Sequence, residues 1–395
     1  MPSAQPVHLF NFKLWVTKRT SHNKQLTFMG LLKDIYSETF YRSLAGSLAE
    51  VLPDFDKTLF LKKTCIPDFC KMELKQRMRH TTNVIHEFLS ADFPIAASQL
   101  KALIVQLKKD GIGGELVFIF LPDYIECHGL EHFEASVEAI EFVTQFISCE
   151  FAVRPFLLKY GQRMIKQMEI WSLHENHKVR RLATEGCRPR LPWAMALPEL
   201  KKDPTPILPI LENLKNDPSD FVRKSVANNL NDISKDHPQV VLGIAALWKG
   251  ISKETDAIIK HGCRTLLKQG HPDILAHYTL DSSAVEWSNF QVLSPEVAIG
   301  KHLEFSFHVK NTSKKAQIIR LEYALYYKRL NGQPSKKVFK ISEKSYLANE
   351  GVLVKRKQSF KIITTRKFYP GPHQLSVIVN GSEKELKTFV LTEAE

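Results

Sequence analysis

The first two thirds of the chain carry apolar residues at helical spacing. From residue 29 onward they recur every three or four positions, beginning with Leu31, Leu32 and Ile35, which is the spacing of one face of an α-helix. Proline, aspartate and glycine interrupt the pattern at intervals up to about residue 280, as turns between helices would. Paired helices are therefore predicted over residues 29–280. Residues 1–28 show no consistent period and are interpreted as a loose extension without function.

Two of the helical segments are related to each other. Residues 176–185 align with residues 219–228 at an offset of 43, and both begin with a polar residue followed by Val-Arg. Residues 255–264 form a weaker third copy. A period near 40 residues is typical of HEAT-type repeats, in which each helical hairpin buries its apolar face against the next. The helical region is therefore predicted to be an all-α, HEAT-like repeat solenoid.

The pattern changes at about residue 283. Short β-rich segments replace the helical spacing, and Asn331-Gly332 and Asn380-Gly381 between them are strong hairpin markers. Roughly seven strands in about 110 residues predict a small antiparallel β-sandwich of immunoglobulin-like size over residues 283–393. The clearest predicted strands are residues 302–310, 316–329, 337–341, 359–365 and 374–379.

Aromatic residues are the expected core of this sandwich, because its sequence contains no cysteine for a disulfide between the sheets. In strands, such residues belong more often to the core than to a binding surface. The predicted core residues are Trp287, Phe305, Phe307, Tyr323, Tyr326 and Phe360.

Composition narrows the class of protein. The 395 residues are 44% hydrophobic and 25% charged, which excludes a mostly disordered or fibrous chain. The longest apolar run, residues 240–248, is far below the ~20 residues needed to span a bilayer. Six irregularly spaced cysteines do not form a disulfide framework. These features predict an intracellular, cytoplasmic protein without a transmembrane helix.

Charge is the first indication of function. The chain has 55 basic and 42 acidic residues, a net charge of +13, and residues 281–395 contribute 19 basic and 11 acidic residues, a net of +8. Such a surplus favours a polyanionic partner, either nucleic acid or an acidic membrane surface. The alternative is a soluble basic protein without such a partner.

Several kinds of chemistry find no support. His174 and His177 lack a completed zincin motif, and Cys65 and Cys70 have no partner pair at zinc-ligand spacing. The glycines of residues 111–114 lack a phosphate-loop lysine, and the chain has no nucleophile elbow or nucleotide fingerprint. Neither a metal nor a small-molecule cofactor is expected.

Acidic residues recur instead at related places among the repeat helices. Glu150, Glu185 and Asp232, the last following Asn228-Asn229, are predicted near the ends of second helices, which line one wall of a solenoid. They would then converge on one surface. The basic residues expected around them are Arg180, Arg181, Arg188, Arg190, Arg223 and Lys224. An alternative is that Glu185 with Arg188, and Glu150 with Arg154, are only solvated helix ion pairs.

Carboxylates inside a basic, phosphate-binding wall have a specific use. Cleavage of an N-glycosidic bond builds positive charge on the deoxyribose, which a nearby carboxylate stabilises while it orients the attacking water. A base that alkylation has made cationic leaves as a neutral molecule and needs little protonation. Trp193, between Leu-Pro and Ala, could pack against a sugar or base, or equally could be a core residue between two helices.

Three segments carry a resemblance to a known family. Residues 148–156 (Ser-Cys-Glu-Phe-Ala-Val-Arg-Pro-Phe), 181–193 (Arg-Leu-Ala-Thr-Glu-Gly-Cys-Arg-Pro-Arg-Leu-Pro-Trp) and 226–232 (Val-Ala-Asn-Asn-Leu-Asn-Asp) resemble the AlkC branch of the HEAT-repeat DNA glycosylases, relatives of AlkD. The resemblance covers about residues 31–393 and includes the C-terminal sandwich that one group of AlkC proteins carries.

The resemblance implies a monofunctional DNA glycosylase. It would excise 3-methyladenine and 3-methylcytosine from kinked duplex DNA without rotating the nucleotide fully into a pocket. Glu150, Glu185 and Asp232 would be the active-site carboxylates and Trp193 would pack at the lesion. Arg154, Arg181, Arg188 and Arg190 would hold the backbone or the acids, and the sandwich would clamp the DNA.

The functional prediction is therefore an alkylation-repair glycosylase that acts as a monomer on double-stranded alkylated DNA, associated with the nucleoid. The predicted catalytic residues are Glu150, Glu185, Asp232 and Trp193. The predicted DNA-binding residues are Arg154, Arg180, Arg181, Arg188, Arg190, Arg223, Lys224, Asn228 and Asn229. The alternatives are a non-catalytic DNA-damage binder, which the acidic cluster disfavours, and a HEAT scaffold for other proteins.

Overall fold

The computed structural model describes residues 32–362 and 367–394. The predicted extension, residues 1–28, lies outside this part of the chain. The described residues form helices up to His277 and strands from Val285 onward. The predicted fold class, a helical region followed by a small antiparallel β-sandwich, is confirmed.

Sixteen α-helices are present in the described residues, and short 3-10 turns at Leu32–Ile35, Pro67–Lys71, Leu116–Ile119 and Thr205–Ile207 connect some of them. The helices are α1 (Glu38–Ala49), α2 (Lys57–Thr64), α3 (Leu74–His86), α4 (Phe93–Lys109), α5 (Phe120–His128), α6 (Phe133–Thr144), α7 (Val153–Tyr160), α8 (Gln162–Trp171), α9 (His177–Gly186), α10 (Pro198–Lys202), α11 (Leu208–Leu214), α12 (Asp220–Ile233), α13 (Pro238–Trp248), α14 (Lys253–Gly262), α15 (Arg264–Gln269) and α16 (Pro272–His277).

Contacts divide the described chain into two compact units. The helical unit contains residues 32–241 and 247–262, and the β unit contains residues 242–246 and 263–394. The last two helices, α15 and α16, therefore belong by their contacts to the β unit, although the change from helix to strand comes after them. No helix in the described ranges is long and apolar enough to cross a membrane.

Helices α9 and α12 show the sequence repeat as a repeated structure. Each begins at a polar residue, Asn176 and Ser219, and the two helices pack against each other. Arg180 Nη1 donates to the carbonyls of residues 174 and 175, and Arg223 Nη1 donates to those of residues 217 and 218, which are 43 positions further along. The same side chain thus closes the same turn in both copies.

The third copy is displaced by three residues from its predicted position. Helix α14 begins at Lys253, and Ser252 Oγ accepts the backbone N–H of Thr255 at 3.0 Å. Ser252 therefore occupies the position of Asn176 and Ser219. Like Asn176, it satisfies with its side chain an N–H that has no intrahelical partner, whereas the Ser219 side chain makes no such bond. Helix α14 packs against α12, so the three helices α9, α12 and α14 follow one another in space.

The β unit contains two sheets. The strands are β1 (Val285–Val292), β2 (Glu296–Ala298), β3 (His302–Asn311), β4 (Gln317–Tyr327), β5 (Ser335–Tyr346), β6 (Gly351–Ser359), β7 (Gly371–Val379) and β8 (Ser382–Thr392). One sheet has the order β1-β3-β6 and the other β2-β8-β7-β4-β5. All pairings are antiparallel except β2 with β8.

Most of the predicted aromatic core is present between the sheets. Phe305, Phe307, Tyr323 and Phe360 are buried, and Trp287 packs against them partly buried. The prediction for Tyr326 is wrong. Strand alternation turns the neighbouring Tyr327 into the core instead, and the hydroxyl of Tyr326 donates to Glu383 at 2.7 Å.

The strand predicted over residues 359–365 is also wrong where the structure describes it, and residues 363–365 of that prediction lie outside the described part of the chain. Strand β6 ends at Ser359, and residues 360–362 are not in a strand. The strand lies earlier, at residues 351–359, where Val352 and Val354 pack on the core and alternate with exposed residues. Its run of lysine and arginine after residue 354 obscures this alternation in the sequence.

Both predicted Asn-Gly turns join antiparallel strands. Asn331-Gly332 lies between β4 and β5, and Asn380-Gly381 forms the two-residue connection of β7 and β8. Asn380 (φ 45°) and Gly381 (φ 77°) both have positive φ, as a type I′ turn requires. The glycine that ends α15, Gly270, packs directly on this turn: a Cβ there would lie 2.6 Å from the carbonyl oxygen of Gly381.

We expect Gly270→Ala to destabilise the β unit more than Gly332→Ala does. Both glycines have positive φ, +69° and +77°, but a Cβ at Gly332 meets no atom within 4 Å. The shared backbone penalty is about 1 kcal/mol, and the collision at Gly270 adds about 1–3 kcal/mol. Urea unfolding followed by circular dichroism measures both variants. Equal losses would show that α15 does not pack on the β7–β8 turn.

Candidate active site

The three predicted carboxylates lie in one part of the helical unit. Glu185 is in the last turn of α9 and Asp232 in the last turn of α12, as expected. Glu150 does not end a helix; it lies in the turn between α6 and α7. The reason is Pro155, which lacks an N–H and is tolerated in the first turn of a helix, so α7 begins at Val153, after Glu150.

Arginines join the carboxylates into a row of alternating charge. Arg181 Nη1 donates to Glu150 Oε2 at 2.6 Å, and its Nη2 lies 3.8 Å from Glu185 Oε1. Arg188 Nη1 donates to the same oxygen of Glu185 at 2.6 Å, and its Nε donates to Asp232 Oδ2 at 2.9 Å. We call these residues, with the lysine described next, the acid–base row. The row brings all three carboxylates together through two guanidinium groups.

Lys235 ends the row at the side of α12. Its Nζ donates to Asp232 Oδ1 at 3.1 Å, so three carboxylates alternate with three cations. The exposed fraction of the carboxylate side chains rises along the row, from 2% for Asp232 to 6% for Glu185 and 19% for Glu150. Water therefore reaches Glu150 more readily than the other two.

Hydrogen bonds fix the carboxylates further. Ser225 Oγ donates to Glu185 Oε2 at 2.6 Å, and Ser148 Oγ donates to Glu150 Oε2 at 2.9 Å. Burial acts to lower the pKa of Arg188, but the charges of Glu185 and Asp232 outweigh it and raise that pKa above its ordinary value. Arg188 therefore stays cationic between its two partners. A buried ion pair of this kind needs such extra hydrogen bonds to offset desolvation.

Arg154 has a structural position, which corrects its predicted contact with DNA or with the acids. Its side chain is fully buried. Nε donates to the carbonyl of Met195 at 2.7 Å, and Nη1 donates to the carbonyls of Gly186 and Arg188 at 2.8 and 2.9 Å. Burial lowers the pKa of Arg154 to about 10. Arg154 lies in the first turn of α7 and thus ties the segment after α9, which carries Arg188, to the start of α7.

Trp193 lies in that same segment and is exposed. Its side chain is 65% accessible, so the alternative that it is a core residue is wrong. The residue is the third of a turn in which Ala194 N donates to Leu191 O at 3.3 Å, and its φ is +67°. For a bulky side chain a positive φ is a true outlier, and such strain is often kept at functional sites.

Three predicted DNA-binding residues are occupied by structural contacts. Arg180 binds both carboxylate oxygens of Asp217 at 2.6 and 3.1 Å, and Arg223 bonds to the turn carbonyls described above. Asn229 is buried, and its Nδ2 donates to Thr184 O at 2.8 Å. All three residues join repeat helices and turns to one another. The burial of Asn229 opposes its predicted contact with DNA, whereas the DNA-binding roles of the partly exposed Arg180 and Arg223 stay predictions.

Outside the acid–base row, the predicted DNA-binding residues Arg190, Lys224 and Asn228 lie nearer the surface. Arg190 binds both oxygens of Asp236 at 3.0 and 2.6 Å, and the exposed Lys224 pairs with Asp220 at 2.6 Å. Asn228 lies 3.3 Å from the ring Nε2 of His261. Because these partners are solvated, an incoming phosphate can compete for the cations at small cost.

Sequence reasoning missed four residues near the row. Lys235 follows Asp232 at helical spacing, a signal that the sequence offered. Phe221 stacks on Arg181, with the guanidinium carbon 4.3 Å from the ring centre. Lys75 donates to the carbonyl of Trp193 at 3.0 Å, and Phe151, 36% exposed, lies beside it. Only the fold brings these last contacts together.

The described residues contain no group of three or more histidine, cysteine or acidic side chains that could hold a metal ion. The row itself offers carboxylates held by arginines, and Trp193 adds an exposed indole in the same unit. Such a set can stabilise a developing positive charge and orient water.

We expect Arg154→Met to destabilise the helical unit by at least about 3 kcal/mol, because several buried carbonyls lose their donor at once. Arg190→Met removes an arginine from the same segment but breaks a solvated pair, worth at most about 1 kcal/mol. Urea unfolding of both variants gives the comparison. Similar, small losses would contradict the anchoring role of Arg154.

A second prediction concerns the strain at Trp193. Trp193→Gly should be more stable than Trp193→Ala by about 1 kcal/mol, because only glycine adopts a positive φ without strain. The two variants lose the same indole, so their difference isolates the backbone. Thermal unfolding of both proteins tests this, and an alanine variant at least as stable as the glycine variant would rule out the strained turn.

Two family models match the chain. Residues 128–263 match the model described as "DNA alkylation repair enzyme", which spans the whole acid–base row. Residues 286–393 match the model described as "Uncharacterised protein YhaZ, C-terminal Ig-like domain". The two matches correspond to part of the helical unit and to the sandwich.

Two relatives match over nearly their whole length. YhaZ of Bacillus subtilis (strain 168) is 44% identical over 362 residues, which are 91% of this chain and 99% of that protein. The solved structure of Pseudomonas fluorescens alkylpurine DNA glycosylase AlkC, bound to DNA containing an abasic site analog, superposes with a TM-score of 0.86 at 36% identity, covering 91% of this chain and 99% of AlkC. The chain belongs to the family of AlkC-type DNA glycosylases that carry a C-terminal Ig-like domain.

Proposed function

We propose that this glycosylase hydrolyses the bond between deoxyribose and a cationic N3-methylated base, 3-methyladenine or 3-methylcytosine, in double-stranded DNA. The observation that carries the proposal is the acid–base row: Glu150, Glu185 and Asp232 are joined through Arg181 and Arg188 within hydrogen-bonding or ion-pair distance. The DNA bound to the similar AlkC structure, which contains an abasic site analog, supports DNA as the partner.

The chemistry of the lesion fits carboxylates without a strong acid. An N3-methylated base already carries a positive charge and leaves as a neutral molecule, so the enzyme need not protonate it. As the bond breaks, positive charge moves to the deoxyribose, and preorganised anions stabilise it. A neutral lesion would instead demand a general acid to protonate the departing base.

The three carboxylates differ in their exposure to solvent, and we assign them different roles on this basis. Glu150 is the most accessible of the three, so it is the group best suited to orient and deprotonate the attacking water. Glu185 and Asp232 are held almost fully buried by Arg188. They supply fixed negative charge in a region of low dielectric, where it acts most strongly.

Trp193 is the proposed contact with the damaged nucleotide. Its exposed indole suits packing against a sugar or base that stays at the protein surface, which is why we propose excision without full rotation into a closed pocket. The strained turn holds the indole outward, and Arg154 anchors the segment that carries it.

The β unit is proposed to bind the DNA backbone. Its residues 281–395 have a net charge of +8, and the exposed Lys355 and Lys357 of β6 lie on the face opposite to the core residue Val354. We place the enzyme, as a monomer, on chromosomal DNA in the cytoplasm, in association with the nucleoid.

Conservative changes in the row test the catalytic assignment. We expect Glu150→Gln, Glu185→Gln and Asp232→Asn each to lower single-turnover base release by at least ~100-fold, the loss typical of a preorganised electrostatic group. Affinity for duplex DNA should stay within about threefold, since the phosphate contacts remain. Chromatography of bases freed from methylated duplex DNA measures the rate.

Asp236→Asn is the matched control, because Asp236 is a nearby carboxylate that pairs with Arg190 outside the row. It should release base at the wild-type rate. Because Glu150 is the least buried of the three, its variant is the one in which folding should be least affected. Wild-type rates in the Glu150 and Glu185 variants would remove the assignment. A wild-type protein that binds methylated duplex but frees no base would favour a DNA-damage binder, and one that does not bind DNA at low salt would favour a protein scaffold.

A further inference from the structure

Lys75 connects the two turns that carry the active-site groups. It lies in the first turn of α3, exposed, and its Nζ donates to the carbonyl of Trp193, 118 positions away in the sequence, at 3.0 Å. The same Nζ lies 5.9 Å from the ring centre of Phe151, which directly follows Glu150. One ammonium group therefore contacts the Trp193 turn and borders the Glu150 turn.

The position of Lys75 is not explained by helix stability. A cation in the first turn of a helix faces the positive end of the helix dipole and is mildly unfavourable there. The start of α3 is already secured, because Glu73 and Gln76 form a capping box. A lysine at this place therefore acts outside α3. Its ammonium contacts the Trp193 turn, and its charge also opposes the rise that burial causes in the pKa of Glu126 on α5.

The Lys75 ammonium can donate hydrogen bonds in addition to the one that it makes with Trp193. A lysine ammonium carries three N–H donors and no acceptor, and the hydrogen bond to Trp193 uses one of them. The side chain is exposed, so the remaining donors face a solvent-accessible region beside two exposed aromatic rings, Phe151 and Trp193. A compact cation of this kind commonly binds phosphate as a point charge.

We propose that Lys75 is a positioning residue that holds the strained Trp193 turn and at the same time binds a backbone phosphate of the DNA beside the damaged nucleotide. The inference rests on the proposed function, since the nucleotide at Trp193 is the one to be excised. Binding of the phosphate then aligns the indole with the sugar, because one ammonium group contacts both. Binding of the DNA phosphate and placement of the Trp193 turn would then occur together.

The test compares three variants in the full-length chain. Lys75→Met removes the donors and keeps the length of the side chain, Lys75→Arg restores a cation with donors, and Lys71→Met is the control. Lys71 is an exposed lysine four positions earlier that pairs with Asp68, and we assign it no role at the Trp193 turn. Each variant is assayed for single-turnover base release and for the salt dependence of binding to an uncleavable duplex with an abasic-site analogue. Thermal unfolding establishes that each variant is folded.

We expect Lys75→Met to lower single-turnover release by about 10- to 100-fold, as misplacement of a catalytic group does. The slope of log affinity against log salt should decrease by about 0.9, the value for one phosphate contact. Lys75→Arg should restore both quantities to near wild type, and Lys71→Met should change neither.

Two results would overturn the inference. The first is a wild-type rate in Lys75→Met, which would mean that the Trp193 turn needs no support from α3. The second is an unchanged salt slope, which would mean that no phosphate binds there. The slope is measured on binding alone, so it tests Lys75 even if the wild-type protein were to release no base. Failure of the proposed function and failure of this inference are therefore distinguishable.

Discussion

The proposed active site depends on one electrostatic constraint: three carboxylates can lie together in a largely buried place only if cations separate them. Arg181 and Arg188 meet this constraint by pairing on both sides, and Lys235 closes the end of the row. Removing Arg188 would leave Glu185 with only the more distant Arg181 and Asp232 with only Lys235, and removing Arg181 would take from Glu150 its cation in the row. Breaking buried pairs in this way costs several kcal/mol. In the proposed reaction the arginines are therefore part of the catalytic arrangement, even though the carboxylates would do the chemistry.

The acid–base row in turn depends on the backbone segment that places Arg188 between Glu185 and Asp232. Arg188 and Trp193 both lie in the segment after α9, which has no regular structure of its own, and the buried Arg154 fixes it through three carbonyls. Such an anchor allows the strain at Trp193 to persist, because strained conformations survive only where their surroundings over-determine them. The buried Arg154 thus holds the exposed Trp193 turn in one orientation.

The fold class was predictable from the sequence because helical spacing, strand alternation and Asn-Gly turns are local signals. The acidic positions were predictable because they stand out among basic residues, although the turn before Pro155 moved Glu150 off the predicted helix end. Burial was not predictable. Arg154, Arg180 and Arg223 look like DNA-binding arginines in the sequence, yet they bond to carbonyls and to Asp217. Lys75 was missed because its contact joins residues 118 positions apart.

Comparison of corresponding positions in α9 and α12 distinguishes residues that hold the repeats together from residues of the acid–base row. Arg180 and Arg223, 43 positions apart, close the same turn in two copies, so their role belongs to the repeat. Arg181 has no such counterpart: 43 positions on lies Lys224, which pairs with Asp220 at the surface. Glu185 likewise corresponds to Asn228, and Arg188 to Asn231. A scaffold interaction can recur where repeats stack, as it does in α9 and α12, whereas a reaction needs its groups only once. In this chain, the arginines that break the repeat are the ones that hold the carboxylates.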